Sequence, residues 1–368
     1  MKRCIFHYLH PIEDKPGIGS AMRPNRMLQA FRDIGYEVDT VVGYSAKRKA
    51  QIRRIKQNIK NGICYDFVYS ESVNIPTALA DRDHIPRQPF LDFGFLKFCR
   101  KQGIPVGLFY RDMHWQFPVY RDHVSRWKQM ITLPLFRWDL RMYQKCVDTL
   151  FVPSDALGAL VPHKNTVPLP PGGLYHPAES EKAAETGKLR IFYVGNVLGV
   201  YDITEFCAAV NKVDGVQLTI CTPQQSWEAA KHRYEPYLCD RIHVVHKSGH
   251  QLQPHYQEAD LFCCCLEVNE YTRLAMPIKV FESIGYGVPV VITEGIAAAE
   301  LIAKSDCGWV IENNMDAFEV LLRRLKNNPQ EIQEKTQNVR AIAPYHTWEK
   351  RAQKVAEDLT VRKEKESI

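Results

Sequence analysis

Short apolar runs recur along this chain, and each is followed by a stretch whose apolar positions return with helical spacing. That alternation predicts strand then helix, repeated, which is the pattern of a parallel α/β protein. In the first half, strands are expected over 3–8, 37–42, 67–70, 105–110 and 149–152. A Pro- and Gly-rich segment, TVPLPPGGLYHPAESEKAAETGK, then interrupts the pattern. Pro168, Pro170, Pro171, Gly172 and Gly173 can continue neither a helix nor a central strand, so a linker is expected near 165–188. Beyond it the alternation restarts with LRIFYVGN and continues through VQLTICT, RIHVV, DLFCCCL, VPVVIT and CGWVI. The expected fold class is α/β, with two Rossmann-like doubly wound domains, over 1–170 and 171–345. They would face a cleft at the carboxyl ends of their strands, where ligands bind. The segment 346–368 reads as an amphipathic helix with Trp348, Ala352 and Val355 on one face, expected to pack back on the N-terminal domain.

Composition excludes several classes. The 368 residues are 45% hydrophobic and 24% charged, with 20 Gly and 22 Pro, unlike collagen-like or disordered chains. The formal net charge of +6 divides unevenly, +11 over residues 1–170 and −5 over 171–368. The total is too small to demand nucleic acid, and no RNA- or DNA-binding motif accompanies it. The longest uncharged apolar stretches, 191–201 and 283–293, have 11 residues each, short of the roughly 18 that a membrane span needs. No cleavable leader is legible at the N-terminus, so the chain is expected to be soluble and cytoplasmic. The 11 cysteines contain no C-x-x-C, and Cys263, Cys264 and Cys265 on one strand alternate faces. Buried reduced thiols are expected rather than a zinc site.

The segment RLAMPIKVFESIGYGVPVVITEG carries the clearest chemistry. Pro277 suits the first turn of a helix, and Gly285, Gly287 and Pro289 end it before an apolar strand. Lys279 and Glu282 are three apart and share one face, while Ile278, Phe281 and Ile284 can face the core. A cation and an anion at a helix N-terminus fit a nucleoside diphosphate: the ammonium and backbone N–H groups meet phosphate, and the carboxylate accepts ribose hydroxyls. The alternative is a surface ion pair worth a few tenths of a kcal/mol.

The block PIKVFESIGYGVPVV resembles the helix and strand that close the donor site in GT-B glycosyltransferases of the glycosyltransferase group one type. The resemblance rests on the Pro, the Lys, a Glu three residues later, then Gly, Pro and a Val-rich strand. It implies a retaining enzyme that binds a nucleoside-diphosphate sugar mainly in its C-terminal domain. That sugar is a co-substrate, and no other cofactor is implied. By the same resemblance Lys279 would hold the diphosphate, as one of the catalytic residues, and Glu282 the ribose. Many relatives carry a second Glu eight residues before the first; here that place is Leu274. YVGNVLGVYD, with Gly195, Asn196 and Gly199, resembles the first βα turn of the C-terminal domain, where N–H groups approach the donor phosphates. A turn that merely needs glycine is the other reading of Gly199. Relatives often place Arg or Lys just after this turn; here Val200, Tyr201 and Asp202 stand instead, which leaves phosphate neutralisation to Lys279 with Arg273.

In the first half, the loop Gly17-Ile18-Gly19-Ser20 is expected before a helix starting near Ala21, so its N–H groups can approach an anion or a sugar hydroxyl. Arg23 and Arg26 in the first turn of that helix are either phosphate contacts or solvated cations. After the strand IPVGLFY comes RDMHWQFP, loosely resembling a family loop whose His or Asp approaches the transferred sugar or the acceptor. Asp112 and His114 are the candidates there, against a satisfied structural pair. No Asp-x-Asp occurs in a strand-end loop of the metal-dependent kind, so no metal site is expected. Asp81 and Asp83 flank Arg82 in a helix-to-loop stretch and read as surface charge.

Between Arg111 and Lys145 lie seven basic and three acidic residues with Trp115, Phe117, Tyr120, Trp127, Phe136, Trp138 and Tyr143 interleaved. Lys47 to Lys60 adds seven cations without an acid. Basic and aromatic side chains on amphipathic helices suit an anionic membrane surface. The expected partners are a nucleotide sugar, a saccharide or lipid-linked saccharide acceptor, and the anionic inner face of a membrane, with no nucleic acid. Two other readings stand beside the transferase: a GT-B-shaped sugar-nucleotide epimerase, and a non-catalytic polyanion-binding protein, which would leave the PIKVFES block idle.

Overall fold

The structure is a computed structural model that describes residues 2–12, 19–177 and 187–365. The chain divides into two compact units, Met1–Pro170 with Trp348–Ile368, and Pro171–Thr347.

The first unit runs β1 (Arg3–Tyr8), α1 (Gly19–Asp33), β2 (Glu37–Val42), α2 (Ser45–Lys60), β3 (Phe67–Glu71), α3 (Leu91–Lys101), β4 (Val106–Phe109), α4 (Pro118–Arg121), α5 (Arg126–Cys146), β5 (Thr149–Val152), α6 (Asp155–Leu160) and β6 (Thr166–Pro168). All strands pair in parallel, in the order β2-β1-β3-β4-β5-β6. The order reverses between β1 and β3. β6 departs from the linker expected there, because an edge strand that pairs only with β5 tolerates Pro168.

The second unit runs β7 (Leu189–Val194), α7 (Thr204–Lys212), β8 (Val216–Cys221), α8 (Gln224–Tyr234), β9 (Ile242–Val245), α9 (Gln253–Glu258), β10 (Leu261–Cys264), α10 (Ile278–Gly285), β11 (Val290–Thr293), α11 (Ala297–Lys304), β12 (Gly308–Ile311), α12 (Met315–Asn327) and α13 (Pro329–Ile342). Its parallel order is β12-β11-β10-β7-β8-β9, so the switch point lies between β7 and β10. Both units are Rossmann-like. The central strands are apolar on both faces, as sheets covered by helices on each side require: Val290, Val291 and Ile292 are fully buried, whereas β8, nearer an edge, alternates, with Leu218 and Ile220 buried and Gln217 exposed.

A last helix, α14 (Trp348–Lys365), returns to the first unit and packs on α1, β3 and β4. Trp348, Ala352, Val355 and Leu359 form its buried stripe at helical spacing. Gly107 on β4 makes room for it: a Cβ there would come within 2.9 Å of Leu359 and 2.7 Å of Phe151.

Beneath the β1/β3 switch point lies a buried polar network. The His7 ring bonds Ser70 Oγ at 2.7 Å and Asp92 Oδ1 at 2.9 Å, and Arg48 clamps both oxygens of Asp92 at 2.8 and 2.9 Å. The order of contacts is that of a Ser–His–Asp triad. All three side chains are buried, however, and Asp92 is spent on Arg48, so the network fastens β1, β3, α2 and α3 together. Burial alone would raise the Asp92 carboxyl, but His7 and Arg48 outweigh it and hold it at about 2. Removing one partner would leave a buried guanidinium unpaired. We therefore expect Asp92→Asn to cost about 3–5 kcal/mol in urea denaturation. Asp83→Asn, which breaks the exposed pair with Arg87, should cost at most about 1 kcal/mol. Equal losses would contradict the role given to the network.

Candidate functional site

The second unit places its sequence-predicted residues on three elements. Gly195 and Asn196 follow β7, Arg273 lies in the loop after β10, and Lys279 and Glu282 stand on α10. The loop after β10 is self-built. Asn269 Oδ1 accepts from the N–H groups of Tyr271 and Thr272, each at 2.9 Å, and Thr272 Oγ1 donates to Glu267 O at 2.6 Å. This tight turn presents Arg273 to solvent at the carboxyl end of β10, beside the switch point.

On α10, Lys279 Nζ meets Glu282 Oε2 at 2.8 Å, and both side chains are partly exposed. Tyr256 OH, from α9, donates to the same oxygen at 3.3 Å. Among the described residues both contacts fall on Oε2 and none on Oε1, so one carboxylate oxygen is fixed and the other is turned out to accept. Tyr256 is itself held by stacking. Its ring lies on Tyr286 at 4.6 Å, and Tyr286 lies on His176 at 3.9 Å, both nearly parallel. Burial pushes the Tyr256 phenol up, so it stays protonated and remains a donor.

The His176 end of this stack belongs to the segment entering the unit, which runs against α10. Gly173 N donates to His346 O at 2.8 Å, and His176 N to Gly285 O at 2.9 Å. A Cβ on Gly173 would sit 2.1 Å from Phe281 O, and one on Gly285 2.1 Å from Leu174 O. Only glycine at both positions lets the two backbones touch. Sequence reasoning took Gly173 as a linker residue and missed both Tyr256 and the stack. The one signal was Tyr286, an aromatic set between two glycines at the end of the motif helix.

One expectation on the turn after β7 needs correction. Gly195 N–H donates to Cys221 O at 3.0 Å, prolonging the β7–β8 ladder, so this amide is not available to a phosphate. The Asn196 side chain caps its own loop, accepting from Val197 N at 2.8 Å. The cysteine run behaves as expected, with Cys263, Cys264 and Cys265 all buried and unbridged.

In the first unit, Asp112 and His114 adjoin each other beyond the carboxyl end of β4. Asp112 Oδ1 accepts from His114 N at 2.9 Å, and His114 Nδ1 stands 3.8 Å from Asp112 Oδ2. His114 packs edge-on against Tyr120 and Phe136, and burial lowers its pKa, with Asp112 opposing. It is a neutral imidazole near pH 7. Arg23 corrects one of its two readings, since it is not a solvated cation. Its side chain is 3% exposed, its guanidinium covers the Phe109 ring at 3.4 Å, and Glu71 Oε1 lies 3.5 Å away. Stacking on an aromatic face lets a guanidinium be buried where an ammonium would not be. Gly19 and Ser20 fall inside α1 rather than in a loop before it, because a first helical turn tolerates both residue types; Gly17 lies outside the described residues. Asp81 is not free surface charge either, because its Oδ1 accepts from Ser45 N at 2.7 Å and caps α2.

Residues 188–328 match the model of the family described as glycosyl transferases group 1. Over 75 residues the chain is 33% identical to glucosyltransferase 3 of Streptococcus parasanguinis, a stretch covering 20% of this chain and 22% of that relative. The fold is similar to that of HepE of Anabaena, solved in complex with UDP-glucose, with a TM-score of 0.64 at 12% identity over 97% of this chain and 99% of that one. It is similar also to WaaG, a glycosyltransferase involved in lipopolysaccharide biosynthesis, with a TM-score of 0.61 at 15% identity over 97% of this chain and 99% of that one. The fold is GT-B.

The glycine contact yields a direct test. Gly285→Ala should destabilise the protein by about 3 kcal/mol or more, since the new Cβ meets rigid backbone. Gly94→Ala on α3, where a Cβ meets nothing within 4 Å, should stabilise it by about 0.5–1 kcal/mol. Denaturant titration checks both, and a tolerated Gly285→Ala would mean the segment is not pinned on α10.

Proposed function

We propose that this chain, whose residues 188–328 form a glycosyl transferases group 1 domain, is a retaining glycosyltransferase. It moves a sugar from a nucleoside diphosphate to a saccharide acceptor carried on a lipid, in the assembly of a cell-surface polysaccharide or glycolipid. The observation that carries this reading is the Lys279–Glu282 pair on α10, with one carboxylate oxygen held by Tyr256 and Lys279 and the other turned out. HepE, of similar fold, was solved with UDP-glucose, which supports a donor of that class.

In this reading Glu282 Oε1 accepts from the ribose hydroxyls, and its fixed orientation lowers the entropy lost on binding. Lys279 keeps one N–H on Glu282 and directs the others to the diphosphate, and Arg273 adds a second positive charge. The C1–O bond to the diphosphate breaks as the acceptor oxygen bonds to C1 on the same face, and the acceptor proton passes to a phosphate oxygen of the leaving group. Asp112 orients the acceptor hydroxyl, and the neutral His114 packed beside it accepts or donates without adding charge. No divalent metal enters the scheme. Leu274, where relatives carry a second Glu, removes one acceptor for sugar hydroxyls.

A thermal-shift panel of uridine, guanosine, cytidine and deoxythymidine diphosphate sugars, followed by a transfer assay with the one that shifts, tests the reading. Glu282→Ala should greatly reduce the shift while the protein stays folded, its unliganded melting temperature lowered modestly by the loss of the Tyr256 hydrogen bond. Lys279→Ala should weaken donor binding by about 1.5–3 kcal/mol, as for a hydrogen bond to a charged group, against at most about 1 kcal/mol for an exposed lysine. A donor shift preserved in Glu282→Ala would contradict the site. Conversion of the nucleotide sugar without an added acceptor would favour the epimerase.

A further inference from the structure

The structure separates two basic segments that composition alone treats alike. On α2 the large side chains Ile52 and Ile55 are buried, Arg48 is bound to Asp92, and Lys56 lies over the Phe98 ring at 4.8 Å. Its fully exposed positions are polar or small, and of its isoleucines only Ile59 is partly exposed.

The start of α5 is different. Trp127, Met130 and Ile131 are 62%, 78% and 50% exposed. At spacings of three and four they share one helix face, which Pro134 continues. Further along that face Trp138 meets the exposed Phe90 at 5.8 Å. Tyr120 and Thr132 bond at 2.6 Å, fastening α4 beside this face with Val119 outward. A contiguous outward apolar stripe of this kind is uncommon on a monomeric soluble surface.

Around it the charge is of one sign. Arg121, Arg126, Lys128, Arg137 and Arg141 are exposed, and among the described residues none is within ion-pair distance of a carboxylate. Of the acids in this stretch Asp139 is buried and Asp112 partly so, leaving Asp122 alone exposed. Lys128 Nζ stands 5.6 Å from the Trp127 ring, so cation and aromatic occupy the same edge. A protein partner with a complementary acidic rim would need both a groove for Trp127 and Met130 and matched carboxylates. An anionic bilayer supplies acyl boundary and negative headgroups together, and tolerates an aromatic at their junction.

We propose that the first turns of α5, with α4 beside them, are the element that docks the first unit on an anionic membrane. Trp127, Met130 and Ile131 enter the acyl boundary, and Arg126 and Lys128 lie at the headgroups. The cations of α2 contribute only long-range attraction. This rests on the reading that the acceptor is carried on a lipid, and it names the surface that brings the enzyme to it.

Sedimentation of the full chain with vesicles of phosphatidylcholine, alone or with about 30% phosphatidylglycerol, tests it. The protein should bind the anionic vesicles at least about tenfold more tightly, and less so as salt rises. Trp127→Ser with Ile131→Ser should lower that binding by about tenfold or more, with melting temperature and nucleotide-sugar shift unchanged, because both side chains are exposed. Arg126→Gln with Lys128→Gln should lower it too, and Lys47→Gln with Arg53→Gln on α2 by less than about threefold. Equal binding to both vesicles, no binding, or binding unaffected by the α5 variants would overturn the proposal. So would sedimentation velocity showing a dimer that Trp127→Ser with Ile131→Ser dissociates. Loss of vesicle binding with the donor shift intact would sink only the docking surface; the reverse result would sink the proposed function.

Discussion

The contact on which the second unit's site depends is the one between two backbones at Gly173 and Gly285. A hydrogen on each Cα is all that fits, because any Cβ would come within 2.1 Å of a carbonyl oxygen. Close packing of this kind is stiff, since interiors have little free volume to yield. It fixes α10 against residues 171–177, and His176 then continues the restraint through Tyr286 to Tyr256. The last link is a hydrogen bond onto Glu282. A carboxylate that begins as one end of a helical ion pair thus acquires a defined orientation from a segment far away in sequence.

The first unit solves a related problem with charge instead of close approach. Its switch point rests on Asp92, which collects Arg48 and His7, while Arg23 is held near Glu71 and across Phe109. Burial pushes the Glu71 carboxyl up and Arg23 draws it back; Arg351 on α14, also buried and near Arg23, is brought down to about 10. Polar side chains are placed beneath the strand ends by four helices, α1, α2, α3 and α14, while the exposed cations lie around α4 and α5 and on the outer face of α2. The +11 of the first half is therefore two populations, one consumed in the scaffold and one displayed.

Most strands were legible because a strand buried on both faces must be apolar throughout, and runs such as VPVVIT show it. The C-terminal helix was legible from the spacing of Trp348, Ala352 and Val355. β6 was not, since an edge strand ending in Pro168 carries the signals of a loop. Lys279 and Glu282 stood out through local spacing and resemblance, but what orients them did not. Tyr256 reaches Glu282 through the fold alone, and stacking between rings distant in sequence leaves no periodic trace. The solvated reading of Arg23 and the surface reading of Asp81 fail for one reason: sequence marks charge, and only packing shows whether Phe109 lies beneath a guanidinium or Ser45 N–H points at a carboxylate.

The central claim is that the outward oxygen of Glu282 receives the ribose of a nucleoside diphosphate. Calorimetric titration of the full chain and of Glu282→Ala with the preferred nucleoside diphosphate and its 2′,3′-dideoxy analogue tests it most directly. The account predicts that losing the ribose hydroxyls costs the parent protein about 1.5–3 kcal/mol and costs the variant almost nothing, so that the two losses do not add. Equal losses in both proteins would contradict it.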